Sequence, residues 1–182
     1  YDMLDQNKVG AQISFFMPAT QLGQGATDQL MVFQIADSRP ARAEGEPVEV
    51  TDESLPAVTL DEDSGEPTIA TPEGDAPEDL VVQPLIQGDG EEVGEGDYVT
   101  MHYKGVSWST GEEFDSSWSK NELFGTTFDR VIQGWGDGLV GQKVGSQVML
   151  VIPPELGYGE EGTSGIEPNE TLVFVVDILH TM

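Results

Sequence analysis

The chain has 182 residues, enough for one or two domains, and its 34 Asp and Glu against 7 Lys and Arg give a formal net charge of −27. That charge repels nucleic-acid phosphates, which excludes nucleic acid as a partner, and it removes any simple electrostatic attraction to anionic lipid. Without cysteine there are no disulfides, thiolate nucleophiles or thiolate metal sites, and no run of about 18 apolar residues is present to span or insert into a membrane.

The chain opens on Tyr1-Asp2-Met3-Leu4, with no initiator methionine and no signal-peptide pattern, and reads as the interior of something longer. An internal repeat sharpens that expectation. Lys8-Val9-Gly10-Ala11-Gln12-Ile13 answers Lys143-Val144-Gly145-Ser146-Gln147-Val148, and Met17-Pro18 answers Ile152-Pro153. Leu22-Gly23-Gln24-Gly25 answers Leu156-Gly157-Tyr158-Gly159, and Met31-Val32-Phe33 answers Leu172-Val173-Phe174. Residues 1–37 are therefore expected to be the C-terminal part of a second, divergent copy of the unit at 80–182, with its front half missing and apolar edges left unpaired. A fragment of a tandem-domain protein, with any signal or anchor further upstream, is the expected parent.

Residues 38–79 change character. They hold six prolines and no aromatic residue, and thirteen Asp and Glu stand against Arg39 and Arg42. A charge density of that kind repels itself and resists collapse, so a mostly extended acidic, Pro-rich linker is expected. The short apolar runs at 48–50 and 55–60 are the two stretches able to pair with a neighbouring sheet. Asp61-Glu62-Asp63-Ser64-Gly65-Glu66 faintly suggests a calcium loop, but glycine sits where a ligand is needed and no bidentate glutamate follows at the required spacing. No metal site is assigned.

From residue 80 the pattern is that of strands. Residues 80–86 open the unit and Gly88-Asp89-Gly90 marks a turn. Val99, Met101 and Tyr103 alternate with Thr100, His102 and Lys104, the period of a strand with one buried face. A turn at 109–111 leads into Glu113-Phe114-Asp115-Ser116 as the return strand, and 118–128 reads as a loop or bulge. Residues 135–142 are the one candidate helix, poor by propensity because of its three glycines, and its docking rests on Trp135, Leu139 and Val140. Residues 146–152 and 171–179 are long apolar strands, separated by a long loop that carries Tyr158.

The stretches VTMHYKG (99–105), EEFDSSW (112–118), VIQGW (131–135), KVGSQVMLVIPPELGYG (143–159) and GIEPNETLVFVVDIL (165–179) follow one another in an order and at spacings that resemble an FKBP-type peptidyl-prolyl cis-trans isomerase. The resemblance covers roughly residues 80–182. It implies an α+β fold, an antiparallel β-sheet wrapped around one short α-helix. It also implies rotation of Xaa-Pro bonds in protein folding, proline-containing polypeptide clients, and macrolide inhibitors of the rapamycin class. Among the residues it aligns, Trp135 is the pocket floor and Tyr103, Phe114, Val131, Ile132 and Phe174 are walls. Tyr158 offers its hydroxyl and Ile132 its backbone N–H to a substrate carbonyl, while Asp115 is an acceptor at the rim. Phe124, Phe128 and Ile166 are further wall residues. The sequence departs from the family at a short 124–131 segment, at Thr126 and Lys120, and at Thr163-Ser164 on the long loop, all of which bear on the rim.

The residues themselves suit that chemistry. His102 and His180 have no serine partner at a nucleophile-base spacing, and His102 falls on the strand face opposite Tyr103, as a structural histidine does. Asp115 alone is an acceptor rather than half of an acid–base pair. An apolar cup needs no cofactor and no covalent step to rotate an amide. The alternative reading is a chaperone module that binds proline segments without turnover. An exported or surface-exposed bacterial foldase fits an acidic, cysteine-free tandem chain, and a cytoplasmic one is compatible with it.

Overall fold

The computed structural model describes residues 11–22, 27–34 and 40–182, in two compact units, Tyr1–Arg39 and Pro40–Met182. In the first unit β1 (Gln12–Met17) and β2 (Gln29–Gln34) form an antiparallel hairpin, with a single helical turn, α1 (Ala19–Leu22), directly after Pro18. Met17 pairs with Gln29 and Phe15 with Met31, just as Ile152 pairs with Leu172 and Leu150 with Phe174 near the other end of the chain. With Met17 as the counterpart of Ile152, Met31 therefore answers Phe174 rather than Leu172. The shift of two residues keeps every side chain on the same face of its strand. The remaining matched residues, Lys8-Val9-Gly10 and Gly23-Gln24-Gly25, lie outside the described residues.

The second unit is built on a seven-stranded antiparallel sheet. Its strands are β3 (Glu46–Pro47), β6 (Val81–Gln87), β7 (Val99–Ser107), β8 (Glu113–Ser116), β9 (Phe124–Thr126), β10 (Gln147–Ile152) and β11 (Leu172–Thr181). Their spatial order is β3-β6-β10-β11-β7-β8, and β9 also pairs with β7. Strand β7 uses Val99–Met101 to pair with β9 and Lys104–Val106 to pair with β8, so one long strand carries both lips of a cup. The helix α2 (Gln133–Leu139) packs on the concave face, where Trp135, Leu139, Leu150, Phe174 and Val176 are buried together. This is the expected sheet wrapped on one short helix. The helix starts two residues before the expected position and stops at Leu139, because Val140 is extended and Gly141 takes φ +85°.

The helix glycines that weaken its propensity are what let it dock. A Cβ on Gly134 would lie 2.5 Å from Ile152 Cγ2, and one on Gly138 would lie 2.6 Å from Leu150 Cδ2. Gly134→Ala is therefore expected to destabilise the fold by about 1–3 kcal/mol through overpacking, despite the better helix former. A denaturant midpoint that rises in this variant would contradict the packing argument.

Residues 40–79 are not an extended linker in the structure. They form a strap over the convex face of the sheet. Strand β3 extends the sheet edge, and a hairpin of β4 (Val58–Leu60) and β5 (Pro67–Ile69) lies alongside. Leu55 and Ile69 are buried against Val106, Trp108, Met149, Val151, Val173 and Val175. Polar anchors fix the strap at several points. The Ala43 N–H donates to the buried Asp177 carboxylate at 2.8 Å, and Gln147 Nε2 donates to the same group at 2.7 Å. Lys104 Nζ bonds Glu66 at 2.6 Å and Glu113 at 3.3 Å, and Trp108 Nε1 donates to the Gly74 carbonyl at 3.2 Å. Asp61, in the acidic run, closes the β4–β5 turn by accepting the Ser64 N–H and hydroxyl, both at 2.8 Å.

Candidate functional site

On the concave face the elements just described converge on one cavity of about 250 Å³. Trp135 reaches it from α2, Tyr103 from β7, Phe114 and Asp115 from β8, and Phe124 from β9. Phe174 on β11, Val131 and Ile132 just before the helix, Tyr158 on the long loop and Arg130 at the mouth complete the wall. Trp135 is the hub. Its ring meets Tyr103 at 5.2 Å, Phe174 at 5.2 Å and Phe124 at 5.9 Å between centroids, each edge to face. Phe114 meets Phe174 in the same way at 5.4 Å. Edge-to-face contacts hold each ring against its neighbours, so the box is shaped before anything enters it. Gly105 is required behind it, since a Cβ there would sit 2.7 Å from Phe114 and 2.8 Å from Phe174.

The polar groups are few and placed at the edge. The Tyr103 hydroxyl donates to Asp115 Oδ2 at 2.7 Å, while Asp115 Oδ1 accepts the Ser116 N–H at 2.8 Å and the Lys120 ammonium. Burial pushes the Asp115 carboxyl up, but Lys120, Tyr103 and Ser116 together outweigh it and hold the group below the ordinary carboxylate range. Burial and the neighbouring Asp115 raise the Tyr103 phenol well above its usual value, so it stays protonated. Asp115 is thus an anion both of whose oxygens accept hydrogen bonds. The Ile132 N–H carries no hydrogen bond within the described residues, and the hydroxyl of the half-exposed Tyr158 makes none among them either. Trp135 Nε1 is buried without a hydrogen-bond partner.

Two of the expected wall residues lie elsewhere. Phe128 starts the 3-10 turn Phe128–Arg130, borders Gly136 and Asp137 on the other side of the helix start, and does not line the cavity. Ile166 is buried in the core and its backbone bridges Thr163 within the long loop. Arg130 was not expected. A charged residue beside an apolar run reads as solvated surface, and the only available signal is its place directly before Val131-Ile132. His102 keeps to the opposite strand face, stacked on Trp118 at 4.0 Å with Nδ1 2.8 Å from Ser117 Oγ. Burial lowers its pKa.

Comparison with known proteins gives a consistent result. The family model for FKBP-type peptidyl-prolyl cis-trans isomerase matches residues 90–179. The chain is 45% identical over 113 residues to a probable FK506-binding protein of Corynebacterium glutamicum, covering 62% of this chain and 96% of that one. It is 43% identical over 117 residues to an FK506-binding protein of Streptomyces anulatus, covering 62% and 94%. Among solved structures, FkpA from Escherichia coli superposes with a TM-score of 0.55 at 36% identity, over 72% of this chain and 53% of that one.

Proposed function

Since the chain belongs to the FKBP-type peptidyl-prolyl cis-trans isomerases, we propose that the Trp135 box is where it turns Xaa-Pro bonds, with the proline ring seated on the indole. The observation that carries this reading is the edge-to-face ring set around Trp135, which walls the cavity. A cavity of about 250 Å³ is below the range of about 300–1,000 Å³ common for drug-sized ligands, and suits one ring and its flanking amide. Macrolides of the rapamycin class occupy this same cup in the proposal and compete with substrate.

Planar amides are held by resonance, with a barrier of about 18–20 kcal/mol, and water stabilises the charge-separated planar form through the carbonyl oxygen. Burying the bond among Tyr103, Phe114, Phe124 and Phe174 removes that water and raises the planar state relative to the twisted one. Each 1.4 kcal/mol or so of that difference is tenfold in rate. The fixed Asp115 anion repels the carbonyl oxygen from its side of the cup. The free Ile132 N–H and the Tyr158 hydroxyl hold carbonyl oxygens of the flanking peptide units, which leaves the turning amide's own oxygen without a donor. No acid, base or covalent step is used, and Arg130 at the mouth meets the residues that flank the proline.

Tyr158→Phe tests the hydroxyl. It is expected to lower kcat/KM for a Leu-Pro peptide by about three- to tenfold, the worth of one hydrogen bond, with the melting temperature unchanged. Unaltered turnover in this variant would remove Tyr158 from the mechanism. The pH profile tests Asp115. Its folded pKa is depressed, so its contribution is complete above the ordinary carboxylate value near 4 and is lost only as pH falls through the lower folded value. Activity should therefore show no inflection from Asp115 between about pH 5 and 8. An inflection in that window that disappears in Asp115→Asn would overturn the assignment.

The first unit fits the proposed tandem arrangement, with residues 1–37 as the C-terminal part of a divergent repeat and 80–182 as the isomerase domain. Support comes from the shared strand pairing and from the helical turn that follows the proline in both copies, at Pro18 and at Pro153.

A further inference from the structure

A second cavity is larger than the aromatic one. It is a groove of about 620 Å³ between the strap and the sheet, on the side of the sheet away from Trp135. Val48 still holds to the sheet, its N–H donating to the Leu85 carbonyl at 2.9 Å, and the groove opens where the strap then parts from β6. Val50, Leu55, Val58 and Leu60 from the strap and Leu85 from β6 give it apolar walls. Val50 is 39% exposed and Leu60 41%, so much of that surface stays in water. Asp52 and Glu53 are its charged lining residues, and no Lys or Arg lines it. Just beyond Leu60 the next depression is lined by Asp61 and Glu62 together with Arg42, which is tied to the Glu62 carbonyl at 3.1 Å, so the groove itself is the part lined by carboxylates without a cation.

We infer that this groove is a second polypeptide-binding site, for apolar segments that carry lysine or arginine between their apolar residues. The walls offer burial to aliphatic side chains, and the carboxylates offer pairing to cations on the same segment. The aromatic cup differs in this respect, because Arg130 stands at its mouth and Lys120 holds Asp115. A second copy of the chain is a poor occupant, since each carries a net charge of −27. A segment held here stays attached to the isomerase while its prolines visit the cup, which raises their local concentration without any new contact at the active site.

The test uses the full chain and two labelled twelve-residue peptides without proline, one alternating leucine with lysine and the other leucine with glutamate. Fluorescence anisotropy is expected to show saturable binding of the lysine peptide, at least about tenfold tighter than the glutamate peptide, and weaker in about 0.5 M salt. Val50→Asp combined with Leu60→Asp, both at exposed positions, should weaken it about tenfold or more. Asp52→Asn with Glu53→Gln should reduce the salt dependence. Turnover of a short Leu-Pro peptide should be unchanged in both variants, which separates this site from the cup. Equal binding of the two peptides, no binding, binding retained by the aspartate pair, or anisotropy that tracks self-association of the chain would each overturn the inference.

Discussion

Trp135→Leu is expected to lower kcat/KM for a Leu-Pro peptide by about thirty- to hundredfold, equivalent to roughly 2–3 kcal/mol of transition-state stabilisation. The indole touches Tyr103, Phe124 and Phe174, so its loss opens the dry floor and frees three rings at once. Leucine keeps the position apolar and leaves a smaller void than alanine would, at a cost to stability of about 2–3 kcal/mol. Phe128→Leu is the matching control. That ring packs against the same core from outside the cavity, so the variant should lose stability without losing turnover. If both variants lost activity in proportion to stability, the box would be a scaffold and not the seat of catalysis.

Leu55→Asp is the second large effect. Leu55 is 8% exposed and packs with the sheet's convex face, so the change removes apolar burial and forces a carboxylate toward Val151, Val173 and Val175. A loss of at least about 3 kcal/mol is expected, read as a fall in the urea midpoint of the whole second unit. The same substitution in a solvated linker would cost almost nothing. Unfolding of the wild-type second unit should be a single transition, because strap and sheet share one apolar layer. An unchanged midpoint would mean that the strap contributes nothing to the fold.

The sheet was legible because alternation at 99–104, the turn at 109–111 and the two long apolar strands each specify local structure that agrees with the rest. The strap was hidden for a physical reason. Its strands are two or three residues long, and its buried residues, Ala43, Leu55 and Ile69, are scattered among acids. The signal lay in its partner instead. Every residue of β10 is buried, and so is nearly all of β11, which an antiparallel strand with one solvated face does not allow. Unbroken apolar runs at 148–152 and 172–176 already imply cover on both faces. The helix glycines carried a similar message, since poor propensity next to a bulky strand points to close approach.

Most of the cup was readable from the ordered motifs, because each aromatic sits at a fixed strand position. Phe128, Ile166 and Arg130 were not, since they lie on a 3-10 turn and a loop where side-chain direction depends on local backbone geometry. In that turn the first residue, Phe128, borders Gly136 while the third, Arg130, reaches the cavity mouth.

The most direct test is cis/trans exchange of a Leu-Pro peptide measured by NMR with the full chain, with and without rapamycin, and with Trp135→Leu alongside. Acceleration by the wild-type chain that rapamycin blocks and the variant lacks is the predicted result. A folded wild-type chain that accelerates exchange equally well with rapamycin bound, or with Trp135 replaced, would contradict the assignment of the reaction to this cup.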